Sequence, residues 1–147
     1  MSAITSPATP PSRTILLVED EDSVRQITRY VLESAGYLVL EASSSEHAIA
    51  LCHSFQGSIN LLLTDVVMPN MNGAELAARL KQTRPEITTM FMSGYARNAG
   101  LSKGRLGSPD YYLQKPFSTG MLLSRVAEAL SLPANGREAI TEIMLPF

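Results

Sequence analysis

Five side chains of this 147-residue sequence are of types that handle phosphate or a divalent cation. They are Glu19 and Asp20 in EDED (19–22), Asp65 in NLLLTDVVMPNMNG (60–73), Ser93 in MFMSG (90–94) and Lys115 in YYLQKPF (111–117). Each follows a short apolar run. An ionised carboxylate is costly to bury unless it is paired, metal-bound or able to reach water, so Asp65 after Leu61-Leu62-Leu63 belongs at the mouth of that run. Three carboxylates gathered at one mouth repel one another, and a single lysine neutralises only one of them. Their convergence therefore implies a divalent cation. Oxygen donors without His or Cys favour Mg²⁺, with Mn²⁺ as the alternative, over zinc. Three acids, one dication and one ammonium balance to neutrality, and such a site still attracts a phosphoryl group. Asp65 suits attack on phosphorus as a carboxylate nucleophile, giving an acyl phosphate. The cation, Lys115, the Ser93 hydroxyl and backbone amides would hold the equatorial oxygens.

These residues meet only if the elements carrying them lie side by side. The chain alternates short β-rich runs with segments of helical spacing, the pattern of a parallel sheet with crossover helices. TILLV (14–18) is the first strand, and Val24, Ile27, Thr28, Val31, Leu32 and Ala35 follow at 3–4 spacing until Gly36. YLVLE (37–41) is the second strand; SSSEHAIALCHSF (43–55) opens on capping serines and aligns Ala48, Leu51, Cys52 and Phe55. INLLLT (59–64) is the third strand, followed by a loop with Pro69 and a helix from about Gly73 to Arg84 that buries Leu76, Ala77 and Leu80. ITTMFMS (87–93) is the fourth strand. A weakly patterned fourth helical segment (94–108) and a fifth strand, DYYLQ (110–114), come next. After Lys115-Pro116, Ser118 caps a fifth helix burying Leu122, Leu123, Val126 and Leu130. In an open sheet of this kind ligands bind just past the carboxyl ends of the strands, which is where Glu19, Asp20, Asp65, Ser93 and Lys115 all fall.

Length and composition bound the rest. The chain fits one domain, burying roughly two-thirds of its unfolded surface by the usual scaling. A charged fraction of 18% and a net charge of −2 argue for no direct contact with nucleic acid or anionic membrane. Cys52 is the single cysteine, so neither an internal disulfide nor a zinc cluster is expected, and a reducing, cytoplasmic setting follows. No run approaches the ~18 apolar residues of a membrane span, and the first dozen residues lack the pattern of a signal peptide. Residues 1–12, with Pro7, Pro10 and Pro11 among small polar residues, read as a disordered linker or arm. Residues 13–131 form the domain. Residues 132–147 are a C-terminal tail, read either as a frayed end or as a short extra helix with Ile140, Ile143 and Met144 on one side.

ILLVEDED, LLLTDVVMPNMNG, FMSGYA and YYLQKPF together resemble the receiver domain of bacterial two-component response regulators. The likeness covers about residues 13–131, every motif in order. It implies a flavodoxin-like (CheY-like) doubly wound α/β fold, five parallel strands in the order 2-1-3-4-5 with five helices. It implies Asp65 as phosphoacceptor, with Mg²⁺ held by Asp20, Asp65 and the backbone carbonyl of Val67, and Glu19 acting through water. Ser93 would be the switch hydroxyl, Lys115 a phosphoryl-binding amine, Tyr112 the aromatic that changes rotamer, and Lys115-Pro116 a cis bond. A histidine kinase, or its phosphorylated His domain, would be the donor. A downstream protein would be bound through the face of the fourth helix, fifth strand and fifth helix. Glu19 departs from the commoner Asp and lengthens the reach to metal by one methylene. Val67 and Tyr95, two residues after Asp65 and Ser93, are poor at positioning an attacking water, so slow loss of the phosphoryl group is expected.

Each residue also has a plainer role. Glu19 and Asp20 suit a helix N-terminus, Asp65 an Asx turn, Ser93 a helix cap, Lys115 a solvated charge and Tyr112 an ordinary strand position. His47 and His53 are expected on the surface. An aspartate-nucleophile phosphatase of the haloacid dehalogenase type would need a second Asp where Val67 stands. A degenerate receiver acting only as a docking module is opposed by the intact acids, Ser93 and Lys115. The wording of the motifs resembles hybrid histidine kinase receivers most, and a stand-alone single-domain regulator is the alternative context.

Overall fold

The computed structural model describes residues 13–94 and 111–131. The expected N-terminal arm, the C-terminal tail and, beyond Gly94, the expected fourth helix lie outside them. Five strands are present: β1 (Thr14–Val18), β2 (Leu38–Ala42), β3 (Leu61–Asp65), β4 (Thr88–Ser93) and β5 (Tyr111–Gln114). Four helices are found among the described residues: α1 (Asp22–Ser34), α2 (Ser45–Ser54), α3 (Gly73–Thr83) and α4 (Thr119–Leu130), which is the fifth of the expected helices.

All strand pairs are parallel, in the order β2-β1-β3-β4-β5. β1 and β3 are buried at every position, because helices cover both faces of the sheet. One core layer joins Leu16, Leu62 and Phe91 to Ala48 and Cys52 of α2 and to Leu76, Ala77 and Leu80 of α3. The other joins Ile15, Leu17, Leu63, Met90 and Met92 to Leu32 of α1 and to Leu122, Val126 and Ala129 of α4. Neighbouring residues of one strand thus feed opposite layers, as the period of two requires.

Local chemistry sets the helix starts. Ser44 accepts the His47 amide at the start of α2, and Ser118 accepts the Met121 amide at the start of α4. Asn72 and Glu75 form a reciprocal capping box at the start of α3. The second strand is shifted by one residue from the expected 37–41, with Tyr37 left outside it. A larger difference concerns Ile27, expected on the inner stripe of α1 but 64% exposed. Thr28 and Leu32 take the inward positions, and a residue one step from Thr28 is rotated by about 100° onto the flank. His47 and His53 are exposed on α2.

Candidate functional site

Asp65 is the last residue of β3, and the chain around it is tied on every side. The Val66 amide donates to the Met92 carbonyl at 3.0 Å, and the Gly73 amide donates back to the Val66 carbonyl at 2.8 Å. Between them, Ser45 Oγ donates to the Met71 carbonyl at 3.1 Å and Asn70, in a left-handed conformation (φ 72°), donates to Glu46. Gly73 packs so closely that a Cβ there would stand 2.1 Å from the Asp65 carbonyl oxygen. Only a residue without a side chain lets α3 start against the end of β3.

Lys115 follows β5 and enters the same mouth. Its backbone amide donates to the Ser93 carbonyl at 2.8 Å, and its ammonium bridges Asp65 Oδ1 at 2.7 Å and Glu19 Oε1 at 2.8 Å. The Lys115-Pro116 peptide bond is cis. Glu19 is 1% exposed, and its second carboxylate oxygen accepts the Glu21 amide at 3.1 Å. Glu21, not Glu19 or Asp20, occupies the position before α1, and its side chain makes no capping hydrogen bond. One carboxylate oxygen each of Glu19, Asp20 and Asp65 lies within 4.8 Å of the others. With Glu21, Val67, Met92, Gly94 and Lys115 they line a cleft of about 220 Å³.

The charges are unevenly satisfied. Burial and the adjacent Glu19 carboxylate push the Asp65 carboxyl from 3.8 up to about 7, against the pull of Lys115. Burial also acts to raise Glu19, but hydrogen bonds with Asp65, Lys115 and the Glu21 amide outweigh it and hold Glu19 below its ordinary value. The Lys115 ammonium loses hydration, yet its two carboxylate partners keep its pKa above the usual lysine range. One ammonium cannot compensate two buried carboxylates, and the uncompensated charge raises the Asp65 carboxyl, while Glu19 is held down by its hydrogen bonds. A donor set made only of oxygens, with excess negative charge around a single bridging ammonium, fits a hard divalent cation such as Mg²⁺.

The remaining expected residues sit at the same edge or beside it. Ser93 is buried at the end of β4. Val67 lines the cleft and is 67% exposed. Tyr112 is half-buried on β5, its ring stacked on Phe91 at 5.5 Å between centroids. Tyr95 lies outside the described residues. Two contributors were not foreseen. Gly73 carries a faint signal as a glycine opening a helix after the Asp65 loop, and Arg25 carries one as a base three residues beyond Asp22.

The family model for the response regulator receiver domain matches residues 15–127. The chain belongs to that family. This receiver domain is 40% identical over 119 residues to the sensor kinase CckA of Brucella abortus, covering 81% of this chain but 13% of that protein. It is 34% identical over 116 residues to the response regulator receiver protein CpdR of the same organism, covering 79% of this chain and 95% of the relative. Among solved structures, the receiver domain of the hybrid histidine kinase CckA is similar at 34% identity, with a TM-score of 0.68, and covers 80% of this chain and 98% of that one. A CheY-like receiver domain from Methanospirillum hungatei is similar at 30% identity, with a TM-score of 0.70, covering 82% of this chain and 94% of that one. Relatives thus include both a receiver within a much longer kinase and a protein of nearly receiver length. No helix among the described residues is long and apolar enough to cross a membrane.

Proposed function

We propose that this receiver domain is a phosphorylation-dependent switch whose acceptor is Asp65. The observation that carries it is the Lys115 ammonium bridging Asp65 and Glu19 inside a cluster of three acids at the carboxyl edge of the sheet. An oxygen of Asp65 attacks the phosphorus of a phosphohistidine; the O–P bond forms as the P–N bond breaks, and the imidazole leaves with its electron pair. Lys115 offers its ammonium to the incoming equatorial oxygens and the Ser93 hydroxyl offers another donor. Asp20, Asp65 and the Val67 carbonyl would hold Mg²⁺ directly, with Glu19 acting through water. A bound Mg²⁺ supplies the charge neutralisation that lets three acids accept a fourth anionic group.

Phosphorylation adds charge at the end of β3, and Ser93 at the end of neighbouring β4 is the hydroxyl drawn toward it. Tyr112 stands next in line on β5 and would change rotamer as Ser93 moves. The readout is affinity for a downstream protein at the face containing β5 and α4. We assign the domain to residues 13–131 and to the cytoplasm. The context we favour is a hybrid histidine kinase, supported by the likeness to the CckA receiver. In-frame upstream sequence encoding a kinase domain would support that context, and a stop codon just before Met1 would refute it.

Intact mass after incubation with acetyl phosphate or phosphoramidate, with and without Mg²⁺, tests the chemistry. The parent is expected to gain one phosphoryl group only with Mg²⁺, and Asp65→Asn none. Equal gain by Asp65→Asn would refute Asp65 as the acceptor.

A further inference from the structure

The turn between β1 and α1 presents four consecutive acids, Glu19 to Asp22, and like charges on adjacent residues tend to splay such a turn apart. Yet an oxygen of Glu19 and one of Asp20 both come within 4.8 Å of Asp65. Something must hold the turn, and Arg25, one turn into α1 with its side chain only 14% exposed, is placed to do so. All three of its guanidinium nitrogens are engaged. Nη1 donates to the Glu19 backbone carbonyl at 2.9 Å, Nη2 to Asp22 Oδ1 at 2.8 Å and Nε to Glu41 Oε1 at 3.1 Å. The Glu19 amide is tied separately, donating to the Ala42 carbonyl at 3.1 Å. Both backbone groups of Glu19 are therefore fixed, one by the neighbouring strand and one by Arg25.

Glu41 is itself held in place. It lies on β2 in register with Leu17 of β1, and Arg29, one turn beyond Arg25, also donates to it while pairing with Glu33 at 3.0 Å. The guanidinium is a planar fork that spreads its donors over three nitrogens at fixed angles, whereas an ammonium gathers its donors on one nitrogen and cannot span acceptors placed around the fork.

We propose that Arg25 is a positioning residue for the cation site: gripped by Glu41 and Asp22, it fixes the Glu19 carbonyl and thereby presents the carboxylates of Glu19 and Asp20 to Asp65 before a cation arrives. This rests on the cation-assisted function proposed above. Arg25 touches neither cation nor phosphoryl group, so its influence passes through the backbone of the turn, and Glu41 acts through Arg25 in the same way.

The test is the affinity of the unphosphorylated protein for Mn²⁺, followed by electron paramagnetic resonance, with Mg²⁺ as competitor, beside unfolding curves in EDTA. Loss of such an outer partner is expected to weaken Mn²⁺ binding about tenfold in Arg25→Met and by a similar factor in Arg25→Lys, which keeps the charge but not the fork. Glu41→Gln leaves Arg25 in place and is expected to weaken binding about threefold, with the double variant Glu41→Gln, Arg25→Met no weaker than Arg25→Met alone. Parent affinity in Arg25→Lys would overturn the proposal by showing that charge alone suffices. Parent affinity in Arg25→Met with a lowered unfolding midpoint would overturn it by reducing Arg25 to a structural role. Asp20→Asn separates this from the underlying function: unchanged affinity there overturns the cation site itself, whereas weakened affinity there with unchanged Arg25→Met overturns the role of Arg25 alone.

Discussion

Replacing the proposed acceptor Asp65 by Asn is expected to stabilise the metal-free protein at pH 8. The Asp65 carboxyl titrates at about 7 in the fold against an ordinary 3.8, driven by burial and by Glu19. A folded carboxyl with a raised pKa binds its proton more tightly than the unfolded chain does. Between 3.8 and about 7 the folded protein keeps a proton that the unfolded chain has lost, and stability falls as pH rises through that window. At ~1.36 kcal/mol per pH unit the full displacement is worth at most about 4 kcal/mol, and water at the cleft mouth together with the loss of the Lys115 contact reduces the expected gain to about 1–3 kcal/mol. The amide is neutral at all these pH values, nearly the same shape, and can still donate to Glu19. Urea or thermal unfolding in EDTA at pH 8 should show the variant more stable, with a midpoint several degrees higher. At pH 5 the folded carboxyl is protonated but the unfolded one is mostly ionised, so the difference should shrink to about two-fifths of its pH 8 value and vanish only below 3.8. With Mg²⁺ in excess the order should reverse, because only the parent gains fully from binding the cation in the folded state. A variant less stable than the parent at pH 8 in EDTA, or a gain that does not shrink toward pH 5, would refute the electrostatic account of the site.

Removing the bridging cation should have the opposite effect. Lys115→Met leaves Glu19 and Asp65 buried without their ammonium, and urea unfolding in EDTA at pH 8 should show a loss of about 3 kcal/mol, partly restored by Mg²⁺. Gly73→Ala places a methyl carbon against the Asp65 carbonyl and should destabilise by about 2–3 kcal/mol in denaturant titration while slowing acetyl phosphate labelling. Val67→Asn and Tyr95→Ala should each shorten the lifetime of the phosphorylated protein, by about tenfold for the Asn side chain that can orient a water; decay rates by intact mass would show it.

Much of the molecule was legible in residue order because it depends on local pattern. Leu76, Ala77 and Leu80 were expected inside α3 and are buried there, and Ser118 was expected to cap α4 and accepts the Met121 amide. The third strand could be read as doubly covered from its unbroken leucines. Ile27 shows where pattern fails: its spacing fits the apolar stripe beside Thr28, but which flank of a helix meets the sheet depends on how the helix docks, and of the two only Thr28 lies inward. Arg25 shows a second limit. Its sequence neighbours offered Asp22 as a partner at i–3, while Glu41 becomes a partner only when β1 and β2 lie side by side, and the Glu19 carbonyl only when the turn between β1 and α1 folds back against the helix.

The sequence by itself determined the alternation of strands and helices, the fold class, and the edge at which Glu19, Asp20, Asp65, Ser93 and Lys115 emerge, because each of these follows from periodicity and from the right-handed rule for parallel crossovers. Tertiary structure alone decided that Lys115 bridges Glu19 and Asp65, that burial raises the Asp65 carboxyl, that Gly73 must lack a side chain, and that Arg25 grips the acid turn. Those outcomes rest on close approaches between atoms that local pattern does not bring together, some of them far apart in the chain, and on the burial that the whole assembly imposes on them. Periodicity carries the direction in which a residue points; it carries neither the separation from a distant partner nor the exclusion of water, and electrostatic interactions depend on both.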